Sequence, residues 1–201
     1  MKSIKDTLKI IRDIINALPV EADIALAGGY AAILHGVERT TIDIDFCLYS
    51  DFIKSTDTDS FYRMLKKYLP ERFKAKLIEG SKIHDDPFKH DVIFIEDKKK
   101  KFLRIDLLIA RYKWELEAIK QAVTIKGITV PVLTKPYLVA MKLRSTGLKD
   151  ASDVVNLLGI MTAREKAKTF ELAKRVGRDK KLDRLLAPEE KEVQEMPEEL
   201  I

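Results

Sequence analysis

At 201 residues, with 46% hydrophobic and 34% charged side chains, the chain can bury one good core, and its balance is that of a globular protein rather than a fibrous or disordered one. The single cysteine, Cys47, excludes an internal disulfide, no apolar run approaches a membrane span, and the first residues lack the apolar stretch of a secretory leader, so a cytoplasmic protein without a membrane partner is expected. The net charge of +5 is uneven: residues 188–201 hold six Glu and one Lys, which puts −5 there and +10 on residues 1–187, a basic body suited to RNA or a nucleotide.

Ile4, Leu8, Ile11, Ile15 and Leu18 recur at helical spacing, so residues 3–18 are expected to form an amphipathic helix that stops near Pro19. Asp23-Ile24-Ala25-Leu26-Ala27 reads as a short strand, Gly28-Gly29 as a turn, and Tyr30-Ala31-Ala32-Ile33-Leu34 as a short helix. The next stretch alternates. Ile42, Ile44, Phe46 and Leu48 take one face of a strand; Asp43, Asp45, Cys47 and Tyr49 take the other. Asp57 or Thr58 can cap a helix that buries Phe61, Leu65 and Leu69 and closes at Pro70. Residues 73–78, 92–95 and 102–108 are strand-like, and the last two flank a hairpin loop, 96–101, whose four lysines read as a solvated tip. A helix is expected near 114–121 and a strand near 127–132. Thr134 and Pro136 open a helix to about Thr146, with Gly147 as its stop. Residues 149–158 form another helix, and Thr162-Ala163-Arg164-Glu165 is a capping box that opens a helix to about Val176.

Two features carry chemistry. Asp43 and Asp45 project from one strand face, where two carboxylates repel and are costly to bury unpaired. A bound divalent cation removes that cost, and magnesium favours carboxylate oxygens. Gly28-Gly29 allows close backbone approach, and the start of the following helix offers free N–H groups that suit phosphate. A two-metal transfer site takes a further acid from a neighbouring strand. Asp106, mid-strand among apolar residues, is the best candidate; an internal ion pair with Arg104 or Arg111 is its other reading. Arg39 can grip triphosphate oxygens through its guanidinium fork or be a surface arginine at a helix end; it and Thr41 lie just before the acids. His35 reads as a packing residue at a helix end. Lys142 lies on a largely apolar helix, where a charge needs a reason. Asp150 and Asp153, one helical turn apart, can hold that lysine or act as a base; Asp150 also suits a helix N-terminus.

The order Gly-Gly, helix, Asp-hydrophobic-Asp resembles the signature of the polymerase-β-like nucleotidyltransferase superfamily. Arg39-Thr40-Thr41-Ile42-Asp43-Ile44-Asp45 is similar to the small prokaryotic members, the AbiEii-type toxins and minimal nucleotidyltransferases. The resemblance covers roughly residues 20–160 and extends to the segments 138–144 and 149–155, with their helical lysine and Lys-Asp-x-x-Asp pattern. It implies an α/β fold in the broad α+β sense: a mixed, mainly antiparallel sheet flanked by helices, with a helical C-terminal part. Residues 1–133 would be the catalytic domain with its N-terminal helix, 134–187 the helical part packed on it, and 188–201 an acidic tail. Asp43, Asp45 and Asp106 would hold magnesium or manganese, and the first two would steady the triphosphate. Gly28, Gly29, Arg39, Thr41 and Lys142 would bind the nucleoside triphosphate; Lys142 and Asp150 would join the three acids in catalysis. The acceptor would be a hydroxyl of RNA, such as tRNA, or of a protein, and an antitoxin-type protein would be a partner. The competing expectation is a catalytically silent nucleotide- or RNA-binding module of the same fold.

Overall fold

The structure is a computed structural model that describes residues 4–84, 89–145 and 147–187. The acidic tail expected at 188–201 therefore lies outside the described residues. The chain opens with helix α1 (Ile4–Asn16), whose Leu8, Ile11, Ile14 and Ile15 are buried as the helical spacing requires. Strand β1 (Asp23–Leu26), helix α2 (Gly28–Leu34) and strand β2 (Asp43–Tyr49) follow. A short helix α3 (Asp51–Ser55), not anticipated from the sequence, begins where the Ser50 hydroxyl accepts the Phe52 N–H. Helix α4 (Thr58–Tyr68) starts with the Asp57 carboxylate accepting the Ser60 N–H at 2.7 Å.

Strands β3 (Phe73–Glu79), β4 (Asp91–Asp97) and β5 (Arg104–Ile109) complete a five-stranded sheet of order β1-β2-β5-β4-β3. Three of its four pairings are antiparallel; β2 and β5 run parallel. The sheet is thus mixed and mainly antiparallel. The expected hairpin joins β4 to β5, and its turn is built on Asp97, which accepts the N–H groups of Lys99, Lys101 and Phe102 and pairs with Arg72.

Alternation gives the sheet two unlike faces. Ile44, Phe46, Leu48, Ile93, Ile95, Ile105, Leu107 and Ile109 are buried on one. Each such side chain contributes roughly 1.5–3 kcal/mol when fully buried. The other face carries the acids. Ile42, expected on the apolar face, is instead 80% exposed. The β2 ladder begins at Asp43 opposite Arg104, so Ile42 precedes the paired register that covers its neighbours.

Helix α5 (Lys113–Lys120) follows β5. The strand expected near 127–132 does not form. Gly127 turns the chain at φ +83°, Pro131 has no N–H to give a ladder, and only single bridges remain, from Val132 to Leu26 and to Val123. Helices α6 (Lys135–Arg144), α7 (Leu148–Gly159) and α8 (Ala163–Arg175) come next. Pro136 sits in the first turn of α6, but the Thr134 side chain makes no capping bond. The Thr162/Glu165 capping box of α8 is complete. A further helix, α9 (Asp179–Leu186), also unanticipated, buries Leu182. One apolar cluster runs from Leu8 to Leu182. Among the described residues, no helix is long and apolar enough to cross a membrane.

Candidate active site

The sheet register places the acids. In the parallel β2–β5 pair, Asp45 lies directly across from Asp106, and Asp43 across from Arg104. Neighbouring strands are about 4.8 Å apart, so the three carboxylates share a small patch of the open face. Asp43, Asp45 and Asp106 line a cavity of about 690 Å³ together with Gly28, Gly29, Arg39, Thr41, Lys142 and Asp150. All nine site residues expected from the sequence meet in this one cavity.

The glycine turn touches the acids directly. A Cβ on Gly28 would lie 1.8 Å from Asp45 Oδ2, and Gly28 has φ +60°. No other residue type fits both the backbone and the space. The N–H of Gly29 donates to Asp45 Oδ2 at 3.4 Å. A Cβ on Gly29 would stand 3.0 Å from the Arg39 guanidinium and 3.1 Å from Thr41 Oγ1. Thr41 in turn donates to Asp43 Oδ1 at 3.0 Å.

Arg104 was named from sequence only as a partner that could account for Asp106, and it takes a central place. Its Nε and Nη2 donate to the two oxygens of Asp106 at 2.7 Å each, and Nη2 also reaches Asp43 Oδ2 at 2.9 Å. The signal was available: Arg104 and Asp106 are two apart on a strand and must share a face. Asp45 receives no such partner. Burial, then the charges of Asp43 and Asp106, push its carboxyl up to about 6 despite the Gly29 N–H. Burial also raises Asp106, against the opposing pull of Arg104. With Asp43 and Asp106 turned to Arg104 and Asp45 to the glycine turn, no three His, Cys, Asp or Glu side chains among the described residues are set to hold a metal ion as they stand. The donor chemistry nevertheless fits a hard divalent cation: three carboxylates on adjoining strands, one of them, Asp45, largely desolvated and in no ion pair among the described residues.

A second ionic group closes the other side of the cavity. The buried Lys142 amine contacts Asp150 Oδ1 at 2.8 Å and Asp153 Oδ2 at 2.5 Å. Arg39 pairs with the same Asp153. Asp153 was anticipated as a holder of Lys142; its grip on Arg39, from the far end of the α2–β2 loop, depends on tertiary packing. Burial works against the charged form of Asp150, but hydrogen bonds from Lys142 and Ser145 outweigh it and hold the carboxyl below its usual range. His35 plays the packing part expected of it: its Nε2 donates to the Leu133 carbonyl at 2.7 Å.

A family model described as "Nucleotidyl transferase AbiEii toxin, Type IV TA system" matches residues 9–200. No curated protein matches the sequence. Among solved structures, the chain is similar to an antigenic nucleotidyltransferase-like protein from Paracoccidioides brasiliensis, with 17% identity, 90% of this chain and 93% of that one covered, and a TM-score of 0.49. It is also similar to ANT(2″)-Ia in complex with adenylyl-2″-tobramycin, with 13% identity, 85% and 95% covered, and a TM-score of 0.49.

Proposed function

Since the chain belongs to the nucleotidyl transferase AbiEii toxin family of type IV toxin–antitoxin systems, we propose that it moves a nucleoside monophosphate from a nucleoside triphosphate to an acceptor hydroxyl and releases pyrophosphate. The observation that carries this reading is the convergence of Asp43, Asp45 and Asp106 with the Gly28-Gly29 turn and two basic side chains in one cavity. The acceptor oxygen forms a bond to the α-phosphorus. The bond from that phosphorus to the bridging oxygen breaks, and pyrophosphate leaves with the electron pair.

Each residue has a part in this scheme. Asp43, Asp45 and Asp106 would hold magnesium or manganese, which supplies charge neutralisation at the triphosphate and at the attacking oxygen. Asp106, raised by burial, takes the proton of the acceptor hydroxyl on a carboxylate oxygen. Arg39 and Lys142 face the triphosphate, held in place by Asp153 and Asp150. The backbone of Gly28-Gly29 admits the phosphates closely, and Thr41 steadies Asp43. Catalysis is then mostly positioning and charge compensation. The acceptor is RNA, such as tRNA, or a protein, and an antitoxin-type protein is the expected partner.

One observation favours a second reading, a catalytically silent nucleotide- or RNA-binding module. Arg104 already neutralises two of the three acids. The two readings separate on one experiment: incubate the protein with labelled nucleoside triphosphates, magnesium and total RNA or lysate, and follow the label. Transfer that disappears in Asp43→Asn/Asp45→Asn supports the enzyme. Full transfer in that double variant, or none in the wild type, removes it.

A further inference from the structure

Lys142 lies in the last turn of α6, and the residues that follow it, Leu143, Arg144 and Ser145, are each held from a distant part of the chain. One hold is Glu115, a buried acid in the first turn of α5 that does not line the active-site cavity. Its Oε2 accepts the N–H groups of Arg111 and Tyr112 at 2.8 and 3.0 Å, where the chain leaves β5. Its Oε1 accepts from His90 Nε2 at 2.7 Å and lies 3.5 Å from Nη1 of Arg144. The Arg144 guanidinium also packs over the Tyr112 ring, 4.4 Å from its centroid. Glu115 thus ties the strand that carries Asp106 to the helix that carries Lys142. The other hold is Lys181 of α9, whose ammonium donates to the Leu143 carbonyl at 3.0 Å and to the Ser145 carbonyl. The last carbonyls of a helix lack intrahelical donors, and Lys181 supplies one.

Stability alone is a poor reason for this arrangement, because a buried ionic group can often be replaced by packed apolar side chains at no loss. What charged, directional contacts add is a fixed orientation. Apolar packing contributes little to fixing the corner into α7, since Leu148, which opens that helix, is 89% exposed. A displacement of about 1 Å at a group that grips substrate can cost on the order of a hundredfold in rate. We propose that Glu115 and Lys181 are positioning residues of the transfer site. Neither touches the nucleotide; together they fix the end of α6 so that the Lys142 amine stands against the triphosphate. The inference rests on the transfer reaction proposed above, and it gives α9 a task in that reaction.

The test titrates the full chain calorimetrically with inorganic triphosphate in magnesium, so that the choice of base does not enter. Each variant is measured at a temperature where circular dichroism shows it folded. Glu115→Gln keeps an oxygen for the Arg111 and Tyr112 N–H groups and an amide for His90, and loses the charge opposite Arg144. Lys181→Met keeps the apolar stem and loses the ammonium; because Lys181 is only partly buried, this variant serves where Glu115→Gln does not fold. Each should weaken triphosphate binding about fivefold. Lys181→Arg, which keeps donors for both carbonyls, should return to within about twofold of wild type. In a Lys142→Met background neither Glu115→Gln nor Lys181→Met should weaken binding further, whereas general loosening of the fold would add to it. Glu117→Gln breaks the α5–α8 ion pair with Arg175, remote from these contacts, and should leave binding unchanged. The proposal is overturned if Glu115→Gln and Lys181→Met bind triphosphate as the wild type does, or if their losses are the same with and without Lys142. Weakened binding in Lys142→Met alone removes this proposal and leaves the transfer reading standing. Undiminished binding in Lys142→Met removes the phosphate contact that the transfer reading gives Lys142, and this proposal with it.

Discussion

Arg104 and Asp106 stand two residues apart on β5 and meet in a two-pronged ion pair, Nε and Nη2 each 2.7 Å from a carboxylate oxygen. Such forked pairs are geometrically demanding, and this one spans a carboxylate assigned above to metal and to the acceptor proton. The guanidinium and a divalent cation should therefore compete. Arg104→Gln is expected to bind manganese about tenfold more tightly than wild type and, in chelator, to unfold at lower temperature. Calorimetric titration with manganese alone checks the first point and a melting curve the second. Unchanged manganese affinity would show that Arg104 does not guard the acids.

Asp45 makes a pH prediction. Its carboxyl is raised to about 6 in the folded protein, above the ordinary 3.8, so the folded state holds the proton more strongly than the unfolded state does. Stability of the metal-free protein from this group is accordingly greatest below about pH 4 and is lost as pH rises toward 6. Above that the buried charge costs ~2–3 kcal/mol. Asp45→Asn should melt several degrees higher than wild type at pH 7.5 in chelator and nearly the same at pH 4, while losing transfer. Equal melting temperatures at both pH values would contradict the origin assigned to the shift.

The two glycines should respond differently. Gly28→Ala places a Cβ in the space of the Asp45 carboxylate and forces an L-residue to φ +60°. It should destabilise the fold by at least ~1 kcal/mol, visible in urea unfolding. At Gly29 the atoms nearest an added Cβ belong to the Arg39 and Thr41 side chains rather than to backbone. Gly29→Val should keep a near-normal melting temperature yet lose most nucleotide affinity. Near-native nucleotide binding by Gly29→Val would leave the turn with a purely structural task.

Asp153 neutralises Lys142 and Arg39 together from a site with only 4% of its side chain exposed. Removing one member of a buried ionic group typically costs ~3–5 kcal/mol. Asp153→Asn should fall in that range and also raise KM for the nucleotide, since both cations lose their anchor. Lys142→Met/Asp153→Asn should be less destabilised than the two single changes added together, by ~1 kcal/mol or more. Strict additivity would mean that the two side chains are not coupled.

Much of the fold was legible because its signals are local. The five sheet strands, helix α1 and the capped starts of α4 and α8 follow from periodicity and from one or two capping side chains. The strand expected at 127–132 failed because short apolar runs do not reveal whether a partner has N–H and C=O groups to spare, and Gly127 and Pro131 withdraw them. Helix α3 has only five residues and shows no repeating apolar pattern, whereas α9 does place Leu182 and Leu185 at helical spacing, a signal confined to eight residues.

The site divides along the same line. Sequence by itself determined that Asp43 and Asp45 share a face, that a glycine turn and short helix precede them, and that a third acid sits on a later strand. Those facts depend on the two-residue period of a strand and on turn chemistry, which act over a few residues. Tertiary structure decided that β5 pairs parallel to β2, and that Asp45 faces Asp106 and Asp43 faces Arg104. It also decided that Asp153 answers both Lys142 and Arg39. Strand order and register are set by which buried faces pack together across the whole sheet, and a shift of one residue would reverse every side chain on a strand.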